Sequence, residues 1–130
     1  MPVTYLDSSA IVKLAVAEPE SGALRRHLRR RRPLVSSALA RTEVLRALLP
    51  AGPAAVAAGR AVLAGIDLTR VNDRVLGDAA MLEPAELRTL DAIHLATARR
   101  FGTELGQLVT YDDRMLVAAV RLGIRTVAPA

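Results

Sequence analysis

The chain contains no cysteine, no tryptophan and only three other aromatic residues, Tyr5, Phe101 and Tyr111, among 130. Without cysteine there are no disulfides, no thiolate-bound zinc and no cysteine nucleophile. Histidine is nearly as scarce, His27 and His94 being the only two, which disfavours a zinc centre built from several imidazoles. Oxygen ligands remain, and these suit hard cations such as Mg²⁺ or Mn²⁺. No uninterrupted apolar run approaches the roughly 20 residues that span a bilayer. The longest alanine-rich candidate, residues 54–66, is broken by Arg60. The N-terminus has no basic segment ahead of an apolar one, so neither a secretory signal nor a membrane partner is expected, and the cytoplasm is the expected location.

What is present is apolar bulk and arginine. With 52% hydrophobic residues over 130 positions, the chain suits one domain spanning residues 1–130. The net charge of +5 favours an anionic partner, and nearly all the positive charge is arginine, which grips phosphate bidentately. Nucleic acid is the natural candidate. Enrichment in arginine and alanine also follows from genomic base composition, however, so charge alone decides little.

Strand and helix patterns alternate along the chain. Residues 3–6 read as a strand, followed by a helix that Ser8 or Ser9 can cap and that carries Ile11, Leu14 and Ala15 inward. A second helix begins near Pro19, carries Ala23, Leu24 and Leu28 on one side, and runs through the arginines at 29–32 until Pro33 stops it. Further strands are expected at 34–36, 66–71, 108–111 and 125–127, with helices at 39–49, 54–65, 89–101 and 114–122 and another after Asn72-Asp73. Such alternation implies a parallel sheet covered by helices on both faces.

Asp7 closes the apolar run Val3-Thr4-Tyr5-Leu6, where a carboxylate is costly to desolvate without a cation or good hydrogen bonds. The run Leu108-Val109-Thr110-Tyr111 ends the same way, in Asp112 and Asp113. In open α/β sheets ligands bind beyond the carboxyl ends of the strands, so both acids point to one crevice. Glu43 borders the apolar face of the third helix, and Asp91 lies in the first turn of the helix at 89–101. Taken singly, each has a structural use: Asp91 complements a helix N-terminus, Glu43 pairs with Arg46, Asp112 caps a helix. Together the four form a cluster that repels itself without a cation. A Mg²⁺ ion held by such carboxylates supports phosphodiester hydrolysis, with Ser8, Ser9 or Thr110 orienting the acids. His94, one turn after Asp91, reads as a hydrogen-bonded structural histidine, and His27 as a surface residue without a partner.

Four segments in order, Tyr5-Leu6-Asp7-Ser8-Ser9-Ala10, Arg41-Thr42-Glu43-Val44, Leu90-Asp91-Ala92-Ile93-His94-Leu95-Ala96 and Val109-Thr110-Tyr111-Asp112-Asp113-Arg114, resemble the motifs of the PIN-domain family. Its VapC-type toxin ribonucleases of type II toxin-antitoxin systems are the nearest match. The resemblance implies a three-layer α/β/α fold with a central parallel sheet of four to five strands, and it maps the family's acidic quartet onto Asp7, Glu43, Asp91 and Asp112 as catalytic and metal-binding residues. Asp112 is favoured over Asp113 because it directly follows the expected strand. The resemblance further implies a Mg²⁺-dependent endoribonuclease, with Mn²⁺ a possible substitute, that cuts single-stranded or looped RNA by metal-activated water and leaves a 5′-phosphate and a 3′-hydroxyl. It implies a cognate VapB-type antitoxin packed near residues 39–65, in a homodimer or a toxin-antitoxin hetero-oligomer. Because the three aromatics all fall in expected regular elements, base-stacking platforms are not expected. Two alternatives are a noncatalytic PIN-like module that binds RNA or protein, and a phosphoryl-transfer enzyme using Asp7 as acceptor. Walker-type, G-x-G-x-x-G and G-x-S-x-G motifs are all absent.

Overall fold

A computed structural model describes residues 2–130. The elements run β1 (Val3–Leu6), α1 (Ser8–Ala15), α2 (Ser21–Leu28), β2 (Leu34–Ser37), α3 (Leu39–Leu48), α4 (Pro53–Ala64), β3 (Asp67–Thr69), α5 (Asp73–Ala80), α6 (Thr89–Arg99), β4 (Leu105–Val109), α7 (Asp113–Arg121) and β5 (Thr126–Val127). Single 3₁₀ turns follow α3 and α6. Among the described residues, no helix is long and apolar enough to cross a membrane.

The five strands form one sheet in the order β3-β2-β1-β4-β5, and every neighbouring pair is parallel. All eight residues of β1 and β2 are buried, as central strands covered on both faces must be, the polar Thr4, Ser36 and Ser37 included. Leu6 and Val109 pack with Ile11, Leu24, Val44 and Leu63 of α1 to α4 on one face. Val3, Tyr5 and Leu108 pack with Leu95 of α6 and Met115 of α7 on the other. The three layers and five strands match the expected α/β/α architecture. On the first face α3 and α4 approach closely at Gly59, where a Cβ would stand 2.5 Å from Leu48 Cδ1.

From β1 the chain winds outward through β2 to β3, then crosses to β4 on the other side of β1 and on to β5. The order in which the strands are laid down therefore reverses between β1 and β4, and the crevice at their carboxyl ends is the topological switch point where such folds bind ligands.

Several local expectations are corrected. Helix α1 is capped by Asp7, not by Ser8 or Ser9: the Asp7 carboxylate accepts from the Ala10 amide at 3.0 Å. Helix α2 ends at Leu28, so the arginines at 29–32 lie beyond it, and Arg31 reaches back to the His27 carbonyl at 2.6 Å. Four adjacent cations at the end of a helix repel one another, and leaving the helix lets them spread into solvent. Strand β4 begins at Leu105 and stops at Val109, so Asp112 does not directly follow it, and Tyr111 and Phe101 fall outside strands and helices. The strand stops because side chains take over the next amides: Tyr111 N donates to Ser9 Oγ at 3.0 Å and Asp112 N to Thr110 Oγ1 at 3.1 Å. His27, expected to be unpartnered, meets Gln107 Oε1 at 2.6 Å and ties α2 to β4.

Candidate active site

Asp7 sits where β1 passes into α1, and only 3% of it is exposed. Its Oδ1 accepts from Ser9 Oγ at 2.6 Å and from the Ala10 amide, and its Oδ2 accepts from the Thr110 hydroxyl. Burial pushes the Asp7 carboxyl above the ordinary aspartate range, outweighing these three hydrogen bonds. No arginine or lysine pairs with it among the described residues. It is a desolvated carboxylate with good hydrogen bonds and no cation.

Glu43 reaches the same crevice from α3. Its Oε1 accepts from Ser8 Oγ at 2.6 Å and from His94 Nε2 at 2.6 Å. Burial alone would raise its carboxyl, but the His94 and Ser8 hydrogen bonds hold it below the usual glutamate range. A carboxylate can only accept, so the proton lies on His94 Nε2, and in the neutral ring Nδ1 accepts from the Tyr5 hydroxyl at 2.8 Å. Tyr5 is fully buried in β1 and crosses the imidazole edge-on, with ring centroids 5.9 Å apart. His94 is thus hydrogen-bonded through both ring nitrogens, one of which holds Glu43. The Glu43–Arg46 pair weighed as a structural alternative is not among the ion pairs of the described residues.

Asp91 and Asp112 make the other half. Asp91 lies in the first turn of α6, and Asp112 caps α7, its Oδ1 accepting from the Arg114 amide at 2.9 Å and the Met115 amide at 3.3 Å. The cap role weighed for Asp112 from sequence is therefore real, and it uses only Oδ1, so that Oδ2 faces the crevice. Arg88 joins the pair: its Nε donates to Asp91 Oδ2 at 3.1 Å and its Nη2 to Asp112 Oδ2 at 3.0 Å. Asp113 begins α7, where it complements the positive helix end, and joins neither hydrogen-bonded half.

One hydroxyl links the halves, since Thr110 donates to Asp7 and accepts from the Asp112 amide. The crevice thus gathers Asp7, Glu43, Asp91 and Asp112 from four different elements. Among the described residues, no three acids or histidines yet surround a common point closely enough to enclose an ion. Arg88 stands between two of the acids, and His94 and Ser8 turn the third toward themselves. The donor set nevertheless fits Mg²⁺: it is all hard oxygen, and the guanidinium between Asp91 and Asp112 shows that this place stabilises positive charge. Beside the acids opens a cleft of about 450 Å³, lined by Leu87, Arg88, Asp91, Asp113, Arg114 and Arg121 among others.

The sequence reading overlooked Arg88 and the Tyr5–His94 link. Arg88 is the N-cap residue of α6, three positions before the first-turn acid Asp91, and a basic residue so close to that acid was visible in the sequence. The Tyr5–His94 bond spans 89 residues, and no local pattern reports it.

Comparison with known proteins places the chain in a family. The sequence model of the PIN domain matches residues 4–121. The chain is 65% identical over 130 residues to ribonuclease VapC46 of Mycobacterium tuberculosis, covering all of both chains. It is 38% identical to ribonuclease VapC47 of the same species, covering 96% of each. Among solved structures, it is similar to M. tuberculosis VapC20, a toxin that cleaves the sarcin-ricin loop, with a TM-score of 0.76 at 21% identity over 97% of this chain and 99% of the other. A toxin-antitoxin complex from Klebsiella pneumoniae superposes with a TM-score of 0.73 at 19% identity, covering 98% of each chain.

Proposed function

Because the chain belongs to the PIN-domain family and is a ribonuclease of its VapC type, we propose that Asp7, Glu43, Asp91 and Asp112 bind Mg²⁺, or Mn²⁺ in its place, and that the bound site hydrolyses RNA phosphodiesters. The observation that carries this reading is Asp7, a carboxylate 3% exposed at the switch point of the sheet, pushed up in pKa by burial and paired with no arginine or lysine. A stability role explains it poorly, since a neutral asparagine would cap α1 at less cost.

When bound, the ion would supply an acidified water and stabilise charge on the departing 3′-oxygen. The protein's own contribution is placement. Ser9, Thr110 and the Ala10 amide fix Asp7. His94 and Ser8 fix Glu43 and keep it ionised. The α7 amides anchor one oxygen of Asp112 and leave the other to the site. Arg88, Arg114 and Arg121 along the cleft suit the phosphates of an RNA strand, with affinity that falls as salt rises.

Residues 1–130 act as one PIN-like unit in the cytoplasm, as the toxin of a VapBC-type pair whose partner is a VapB-type antitoxin. Leu49, 56% exposed where α3 turns toward α4, supports a partner on that edge. A homodimer is the proposed resting form apart from the antitoxin complex.

Mn²⁺ titration and RNA cleavage by wild-type protein and Asp7→Asn test the site. Loss of both in the variant is expected, and a variant that binds and cuts like wild type would sink it. A covalent phosphoaspartate on Asp7 would instead favour phosphoryl transfer, against which stands the engagement of both its oxygens by Ser9, Ala10 and Thr110.

A further inference from the structure

We propose that Arg88 is a built-in counter-ion that competes with the divalent cation for Asp91 and Asp112 and leaves them when that cation binds; the inference rests on the metal-site reading above. The two halves of the crevice are neutralised differently. Asp7 and Glu43 are satisfied by hydroxyls, an amide and an imidazole N–H, with no arginine or lysine among their partners. Asp91 and Asp112 are satisfied by a full positive charge, and the planar guanidinium spans them with two different nitrogens. A lysine ammonium, a point charge, cannot fork in this way.

The bridge is placed to be given up. The Arg88 side chain is 59% exposed, against 12% for Asp91 and 25% for Asp112, so it can swing out without opening the core. Exposed ion pairs are individually weak, and a divalent ion with carboxylate ligands outbids them while also repelling the guanidinium. Once displaced, Arg88 stays on the wall of the cleft that Arg114 and Arg121 also line. The charge that screened the acids is then available to an RNA phosphate.

The test is Mn²⁺ binding by calorimetry to chelator-treated wild type, Arg88→Gln and Arg88→Lys, with thermal unfolding of each sample with and without Mn²⁺. Removing the competitor is expected to lower the Mn²⁺ dissociation constant of Arg88→Gln about fivefold, the scale of one exposed ion pair. Arg88→Gln should also melt lower than wild type without Mn²⁺ and gain more from its addition, with Arg88→Lys between the two. Equal or weaker Mn²⁺ binding by Arg88→Gln overturns the competition, because an arginine that merely shaped the site would weaken binding when lost. Absence of Mn²⁺ binding to wild type and variants alike overturns the metal-site reading and this inference with it.

Discussion

The crevice has one half whose acids are held by buried partners and one whose acids are bridged by an exposed arginine, here the buried and the open half. Asp91 itself is nonetheless more enclosed than Glu43, their side chains being 12% and 22% exposed. On the buried side Asp7 and Glu43 are wired into the core: Thr110 and His94 are 0% and 2% exposed, and His94 leans on Tyr5 in the central strand. On the open side Asp91 and Asp112 are held by one solvent-facing arginine and a helix cap. Position is fixed where the fold is stiff, and charge is left adjustable where solvent can reach. Changes in the buried half should therefore alter stability and cleavage together, whereas changes in the open half should alter ion and RNA binding with little effect on folding.

Asp7→Asn tests this most sharply because its two effects have opposite signs. Cleavage should fall at least about a thousandfold, the scale of losing one essential polar group of a catalytic set. Metal-free stability should rise by about 1–2 kcal/mol, or roughly 3–6 °C in Tm, because a desolvated charge is replaced by an amide that can keep the cap. The folded-state pKa of Asp7 lies above its unfolded value, so the protonated acid favours folding and that advantage is lost as pH rises through the folded pKa. The stability gap between variant and wild type should accordingly close as pH falls and Asp7 takes up its proton. Thermal melts across acid to neutral pH in a chelator check this, and a variant less stable than wild type at neutral pH would refute it.

Next in size are the two links that tie the buried half to the core. Thr110→Val strands Asp7 Oδ2 and the Asp112 amide, both bonded to one buried hydroxyl. It should cost about 2–3 kcal/mol in urea unfolding and lower cleavage roughly 10- to 100-fold, as loss of a ligand-orienting group does. His94→Phe keeps the aromatic bulk and breaks the bonds to Tyr5 and Glu43. A cost of about 2 kcal/mol is expected, with cleavage down about tenfold. Unchanged cleavage in both variants, despite the stability loss, would show that the buried half serves only the fold.

Legibility in the sequence follows the same division. Asp7 and Asp112 stand out because an acid ending an apolar run is a local anomaly, and the alternation of strands and helices yielded the parallel sheet. The cap on α1 was misassigned because Asp7 performs two jobs at once, and helix-start rules point equally to the serines beside it. The end of β4 was misplaced because the amides of Tyr111 and Asp112 are taken by Ser9 and Thr110, one of them across 102 residues. His27 found Gln107 across 80 residues. Local periodicity reports which face of an element is buried, and it is silent on which distant side chain will complete a polar group there.

Asp113 sets the lower limit of the comparison. It neighbours Asp112 in sequence and also borders the cleft, yet it begins α7 and bonds to neither half of the site. The two oxygens of Asp112 already serve the helix cap and the Arg88 bridge, so the roles open to Asp113 are complementing the α7 dipole and repelling RNA phosphate at the cleft edge. Asp113→Asn should cost no more than about 0.5–1 kcal/mol through the dipole. Cleavage should stay within about threefold of wild type, the residual effect being weaker repulsion of a phosphate at the surface. Mn²⁺ affinity should not move, because Asp113 donates no oxygen to the gathered acids. A tenfold loss of Mn²⁺ affinity in Asp113→Asn would make it a fifth acid of the site and shift the open half one residue along α7.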